Sequence, residues 1–343
     1  MRTAVTVLTT AAFFTGLTLA QTPGVPSQDQ TFFLNQANTP QELTAAATML
    51  RTVVAMNDVT VDQERKALIS HGTPDQMMLT NWLVQQLNQP AAGQTATPEY
   101  RMAGANADVV RLFRMDSSAT NADMTALVTA IRTLADAQRL FPLEAQKTIV
   151  ARSSVDRLDT AEWIFHQMSP AGQTPGVDSP AFPTPPLGAT EGNDIVVQVF
   201  RLDQSTTNAN LTAIVTAIRT VVDVQRLFPY EASRAIVMRG PSDRVAAAAW
   251  LVHQLAKPAG AGLTAAAHEF QIQGLPDGAV HVYFLTHPGT AADLASLTAQ
   301  IRATSGISRI FPLSNYGAVT LRGRPDQIVT AGAMVATFDA AVR

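Results

Sequence analysis

The chain has 343 residues, with 24 Lys and Arg against 27 Asp and Glu, a formal net charge of −3, and 46% hydrophobic against 15% charged residues. At about 100–200 residues per domain that length allows two to four compact units, with enough apolar material for real cores and too little charge for a disordered tail or a phosphate-neutralising surface. There is no cysteine, which excludes disulfides, thiolate zinc sites, iron–sulfur clusters and cysteine nucleophiles.

Residues 1–20 read as an export signal. Arg2 supplies a short positive start, Val5 to Leu19 is apolar and uncharged, and Thr18-Leu19-Ala20 puts small residues at −3 and −1 before Gln21. The competing reading is a membrane anchor. The apolar run is only about fifteen residues, short of the ~20 that a spanning helix needs, and Pro-containing polar sequence follows at once. Residues 21–343 are therefore expected outside the cytoplasm, periplasmic or secreted, with no span after cleavage and only core burial for stability.

The rest of the chain repeats itself four times. Met124-Thr-Ala-Leu-Val-Thr-Ala-Ile131-Arg132 returns 87 positions on as Leu211-Thr-Ala-Ile-Val-Thr-Ala-Ile218-Arg219. The same shift maps Arg139-Leu-Phe-Pro142 onto Arg226-Leu-Phe-Pro229 and Trp163 onto Trp250. A shift of 83 carries Ile218-Arg219 onto Ile301-Arg302, and a backward shift of 81 carries Trp163 onto Trp82. The expected modules are 29–90, 107–169, 194–257 and 278–343. The Pro-, Ala-, Gly- and Thr-rich stretches 91–106, 170–193 and 258–277 are expected to be semi-flexible linkers.

Within a module the periods predict strand, helix, strand, strand, helix. In the third, Ile195–Leu202 is Val- and Phe-rich, as a strand should be. Leu211, Ile214, Val215, Ile218, Val221 and Val222 then mark one helix face, with Asn208 as N-cap. Val224–Tyr230 and Ala235–Arg239 read as strands around the turn Glu231–Arg234, and Pro241 opens a second helix presenting Val245, Ala248, Val252 and Leu255. The fold class expected is α+β: four tandem βαββα modules, each with two helices on one face of a three-stranded sheet. In Leu-Phe-Pro and Ile-Phe-Pro, Phe is expected to enter the core and Pro to block pairing at the sheet edge.

Ala235-Ile-Val-Met-Arg-Gly-Pro-Ser-Asp-Arg244, with counterparts Ala67–Gln76 and Ala318–Gln327, resembles a stretch of the periplasmic N-domains of bacterial secretins, the NolW-like βαββα modules of secretion and pilus channels. The resemblance extends over all four units and implies modules that associate side by side with one another and with envelope proteins, and no catalytic residues. The chain departs from a full secretin in lacking the pore-forming region after its fourth unit, which leaves an assembly or adaptor role.

The recurring residues offer two candidate interface sets. Trp82, Trp163 and Trp250 hold one place beside the second helix's core stripe, where the fourth unit has Ala333. They are read as edge-of-core packing or as contacts with the next module or another subunit. Arg132, Arg219 and Arg302 lie on the first helix, Arg139, Arg226 and Arg309 precede Phe-Pro, and Arg152, Arg239 and Arg322 close the third strand. They form either a basic stripe for an anionic polymer or, as favoured, solvated element ends paired locally. One His per second helix (His166, His253) is too few for a metal, no nucleotide or hydrolase motif occurs, and neither a cofactor nor an enzyme is expected. The expected function is protein–protein association in the cell envelope, with envelope proteins or itself as partner and no nucleic acid. The alternative is a periplasmic peptidoglycan-binding protein, which would need a sheet face with exposed aromatic and polar residues.

Overall fold

The strand segments are Val-, Phe- and Leu-rich and the helices begin on threonines that cap them. Thr39, Thr73, Thr120, Thr207 and Thr290 each accept a hydrogen bond from the third helical N–H. In three of these the third residue also reaches back to the cap, Gln76 to Thr73, Asp123 to Thr120 and Asp293 to Thr290. The third module's cap is therefore Thr207 and not Asn208, because the hydroxyl one residue earlier reaches Asn210 N. Pro241 closes the preceding strand and sits at the cap, with the helix beginning at Ser242.

The computed structural model describes residues 28–37, 39–89, 97–102, 108–169, 176–188, 192, 194–256 and 268–341; the expected export segment lies outside them. The order is β1 Gln28–Phe33, α1 Pro40–Met49 with a π-helical continuation Leu50–Val54, β2 Asp58–Asp62, β3 Ala67–Gly72, α2 Pro74–Asn88 and β4 Glu99–Arg101. Then come β5 Val109–Arg114, α3 Asn121–Leu134, β6 Arg139–Leu143, β7 Thr148–Ser153, α4 Val155–Met168 and β8 Phe182–Pro183. After them run β9 Ile195–Arg201, α5 Asn208–Ala217 with the π-helical Ile218–Val222, β10 Arg226–Tyr230, β11 Ala235–Pro241, α6 Ser242–Leu255 and β12 His268–Gln271. The chain finishes with β13 Ala279–Phe284, α7 Ala291–Ser305, β14 Arg309–Leu313, β15 Ala318–Gly323 and α8 Pro325–Ala341. Among the described residues no helix is long and apolar enough to cross a membrane.

The described residues form a mixed α+β fold with four antiparallel sheets, ordered β1-β3-β2, β4-β5-β7-β6, β8-β9-β11-β10 and β12-β13-β15-β14. Two expectations are corrected here. Three of the sheets have four strands, because β4, β8 and β12, inside the stretches expected to be linkers, add an edge to the sheet that follows. And those three sheets are covered on both faces. Val109, Phe113, Ile149 and Ala151 face the second module's own helices, while their neighbours Val110, Leu112 and Val150 pack with the core of α1 and α2. Val197, Val199 and Val237 likewise join the core of α3 and α4, and Val280, Val282 and Phe284 that of α5 and α6. Strands buried on both faces read as continuous apolar runs, which is the composition of β5, β9 and β13.

The Phe of each Phe-Pro pair follows the same rule. Phe141, Phe228 and Phe311 do not enter their own module's core but pack against the core of the module before. Pro142, Pro229 and Pro312 lie in β6, β10 and β14, the edge strands opposite the added ones, where a missing N–H costs no ladder bond. Each first helix ends on a left-handed residue, Ala55, Asp136, Asp223 and Gly306, which turns the chain back toward its second strand.

Candidate functional site

The feature repeated through the molecule is the joint between one module's helices and the next module's sheet. The last carbonyls of a helix have no partner within it and carry the negative end of its dipole. At each joint an arginine from the third strand meets them. Arg152 Nη1 donates to Val53 O at 3.2 Å, and its Nε lies 3.1 Å from Asp108. Arg239 Nη1 donates to Leu134 O at 3.3 Å and to Thr184 Oγ1 at 3.0 Å. Arg322 Nη1 donates to Val222 O at 3.1 Å, with Nη2 3.3 Å from Asp277. Arg239 and Arg322 are 2% and 3% exposed.

These arginines are thus neither solvated ends nor a stripe open to a polymer. Their heads are held by carbonyls of the preceding helix, a partner that lies about one module back in sequence. Burial lowers the pKa of Arg322, with the Arg309 charge beside it adding to that effect.

A second set meets the second helix. Arg114 Nη2 donates to Gln86 O at 2.6 Å and Arg201 Nη2 to Gln167 O at 3.0 Å, near the ends of α2 and α4. Burial lowers the pKa of both. Arg226 Nη1 donates to Thr133 O at 3.0 Å, and Arg309 Nη2 lies 3.2 Å from Asp223, the left-handed residue ending the preceding helix. Burial alone would raise the Asp223 carboxyl. Hydrogen bonds from Gln225 and Arg309 and the nearby guanidinium charges overcome this and leave it below its ordinary value.

The middle joint has one more cross-link. Tyr230 OH donates to Asp123 Oδ1 at 2.8 Å. Burial and that carboxylate push the Tyr230 pKa up to about 12. Asp123 is held low against burial by its bonds from Thr120 and Tyr230.

Magnitudes separate the two kinds of contact. Full burial of a Val or Leu side chain contributes about 1.5–3 kcal/mol, and the first joint alone buries Val110, Leu112, Leu143 and Val150. Desolvating a guanidinium costs several kcal/mol before its bonds return anything. Apolar burial therefore stabilises the joints, and the arginines fix how sheet and helices register.

The three tryptophans sit beside these joints. Trp82 lies 5.4 Å from Tyr100, Trp163 stacks 5.3 Å from Phe182, and Trp250 is 5.8 Å from Phe270. Each partner belongs to the added edge strand of the next sheet. Arg132, Arg219 and Arg302 lie elsewhere and do not join them. They donate to Leu140 O, Leu227 O and Ile310 O at 3.1, 3.3 and 2.8 Å, tying the first helix to an edge strand of its own module. Arg51 does the same to Val59 O. Such bonds occupy edge carbonyls that would otherwise be open to another strand.

Arg111 belongs to the joint region although no repeat pattern in the sequence announces it. It is buried on β5 with Glu99 at 2.8 Å, Asp159 at 2.7 Å and Glu162 at 3.0 Å, and it ties β4 to α4. Burial would lower its pKa, but the bonds from Glu99 and Asp159 and the carboxylate charges raise it. An Arg inside an otherwise apolar strand was the available signal. His166 is 3.8 Å from Glu162 and His253 is 2.9 Å from Asp178, both with exposed rings. Among the described residues no three metal-capable side chains converge. A cavity of about 620 Å³ opens at the first joint between Thr39 and Glu42 of α1 and Glu144–Lys147 after β6.

These features describe a mixed α+β chain in which three sheets are tied by arginines to the ends of preceding helices. No family model matches the sequence, and no curated protein matches it. Among solved structures it is similar to Aeromonas hydrophila ExeD at 13% identity and TM-score 0.16, over 68% of this chain and 42% of that one. It is also similar to the ETEC pilotin–secretin AspS–GspD complex at 12% identity and TM-score 0.16, over 68% and 38%. The chain spans less than half the length of either.

Proposed function

We propose that the chain is a non-enzymatic cell-envelope protein, exported by residues 1–20. Its four secretin-N-like βαββα modules, spanning 29–90, 107–169, 194–257 and 278–343, form a stiff array that mediates protein–protein association as a scaffold or a secretion- or pilus-associated component. The observation that carries this reading is the joint built three times to one plan, with Arg152, Arg239 and Arg322 on the helix ends of the module before. A chain that spends its repeated charged residues on holding modules in register is built to present surfaces at fixed spacing. The resemblance of Ala235–Arg244 and its counterparts to secretin N-domains supports the envelope setting.

The alternative, peptidoglycan binding, needs an open sheet face with aromatic and polar residues. Among the described residues the face of β1-β3-β2 carrying Phe33, Thr31 and Thr60 has that composition. Production with the native N-terminus, fractionation and cross-linking in intact cells test the main reading. It expects a mature terminus at Gln21 and a discrete adduct with an envelope protein or a second copy. Retention in the cytoplasm, or sedimentation with purified sacculi in place of any protein adduct, would contradict it.

A further inference from the structure

The first sheet departs from the other three in what it turns outward. By strand register, Asp29, Thr31 and Phe33 of β1 hold the places of Val110, Leu112 and Arg114 in β5 and of Val197, Val199 and Arg201 in β9. Asp58, Thr60 and Asp62 of β2 hold those of Arg139, Phe141 and Leu143, and His71 of β3 holds that of Arg152. Of these positions, apolar or cationic at every joint, Asp29, Asp58 and Asp62 are acidic and Thr31 and Thr60 hydroxylic here, while Phe33, like Ile69 on β3, is apolar. Asp29, Thr31, Phe33, Asp58, Thr60, Ile69 and His71 are exposed, Phe33 by 54%.

Three helix pairs show what such a face takes, since each equivalent face lies under the ends of two helices. The charge shows which kind. Internal joints offer arginines to carbonyl ends. The first sheet offers Asp29, Asp58 and Asp62, with the His71 ring 2.5 Å from Asp29 and the Arg65 guanidinium 3.8 Å from Asp62. A helix C-terminus brought there would meet carboxylates and be repelled. The fourth module's first helix also departs from the others. Ala213, Ala217 and Val221 of the α5 segment are partly or fully covered, whereas their counterparts Ser296, Gln300 and Thr304 on α7 are exposed, the polar outer face expected of a terminal repeat. Among the described residues, a second copy stacked head to tail would set these polar side chains and the carbonyl end of α7 against the carboxylates of the first sheet.

We propose that the outer face of β1-β3-β2 is a docking surface for a cationic amphipathic helix of a different protein. Its apolar stripe would lie on Phe33 and Ile69, and its Lys or Arg side chains would reach Asp29, Asp58 and Asp62. This rests on the reading of the chain as a protein-binding array and adds to it the chemistry of the partner.

The test is amide chemical-shift mapping on residues 21–343, titrated with a sixteen-residue helical peptide of Leu, Ala and Lys and with its Lys-to-Glu counterpart. Expected shifts are confined to β1, β2 and β3, with affinity falling as salt is raised. The combined variant Asp29→Asn, Asp58→Asn, Asp62→Asn should weaken binding about tenfold or more while leaving the amide spectrum of the other sheets unchanged. Equal binding of the Glu peptide, shifts spread over the other sheets, or no binding at millimolar peptide overturns the proposal. So does light scattering that shows copies joined through this face, or sacculi that bind it in place of the peptide. Failure of the array reading itself would appear separately, as loss of fixed spacing between modules without any peptide present.

Discussion

Arg239 leaves the third sheet to donate to the carbonyl of Leu134, 105 residues earlier and 3.3 Å away. It crosses from one module to the end of the previous module's first helix, and it does so while almost fully buried. Replacing it with Met keeps the volume and leaves Leu134 O and Pro185 O without that donor, which costs about 1–3 kcal/mol. Arg132→Gln, which removes a bond to an edge carbonyl within one module, should cost under about 1 kcal/mol. Urea unfolding of the two variants checks the order, and an equal loss would remove the distinction between latch and strap.

Trp163 and Phe182 test the aromatic contact between a helix and the next sheet's edge strand. A double-mutant cycle on Trp163→Ala and Phe182→Ala should give a coupling of about 0.5–1.5 kcal/mol. A coupling near zero would leave β8 held by its backbone bonds alone.

Acid should loosen the second and third joints. The carboxyls of Asp123 and Asp223 are both held below their ordinary values in the fold, so the unfolded chain binds more protons than the folded one as pH falls. Their contribution is present above the unfolded carboxylate pKa, about 3.9, and is lost as pH falls through the lower folded value. Unfolding free energy measured from pH 7 down to pH 3 should drop across that window, and Asp223→Asn should flatten the drop. A variant profile parallel to the wild type would contradict this.

The left-handed helix ends give a further pair. Gly306 has φ +73, and the place a side-chain carbon would take there is open, the nearest atom being Gln327 Nε2 at 3.5 Å. Gly306→Ala should therefore cost about 1–2 kcal/mol from backbone conformation alone. Ala55, with φ 61 at the same place in the first module, should gain about 0.5–1 kcal/mol on Ala55→Gly. Thermal unfolding reads both signs.

Much of each module was legible because helices and strands write their burial as periods. Val245, Ala248, Val252 and Leu255 are all buried, as their spacing predicts. What hid the joints is that a strand covered on both faces looks in sequence like any apolar strand. Val109 and Val110 differ only in which module's core they enter. The added strands were hidden for another reason. β8 is two residues, Phe182 and Pro183, in a run of prolines, and it pairs through backbone groups that carry no residue signature. The one mark it leaves is the aromatic that meets Trp163, matched by Tyr100 and Phe270 ahead of the neighbouring sheets. Arg152, Arg239 and Arg322 read as solvated because charged residues are seldom buried without partners, and their partners are main-chain carbonyls that sequence cannot display.

The proposed array is one stiff body because the sheets of the later modules are sealed by the helices of the module before. Small-angle X-ray scattering from residues 21–343 tests it directly. A profile of fixed length, unchanged by added salt, is expected, and one that turns into that of jointed beads when the apolar seals are opened in the combined variant Leu112→Asp, Val199→Asp, Val282→Asp. Jointed-bead scattering from the unaltered protein would contradict it.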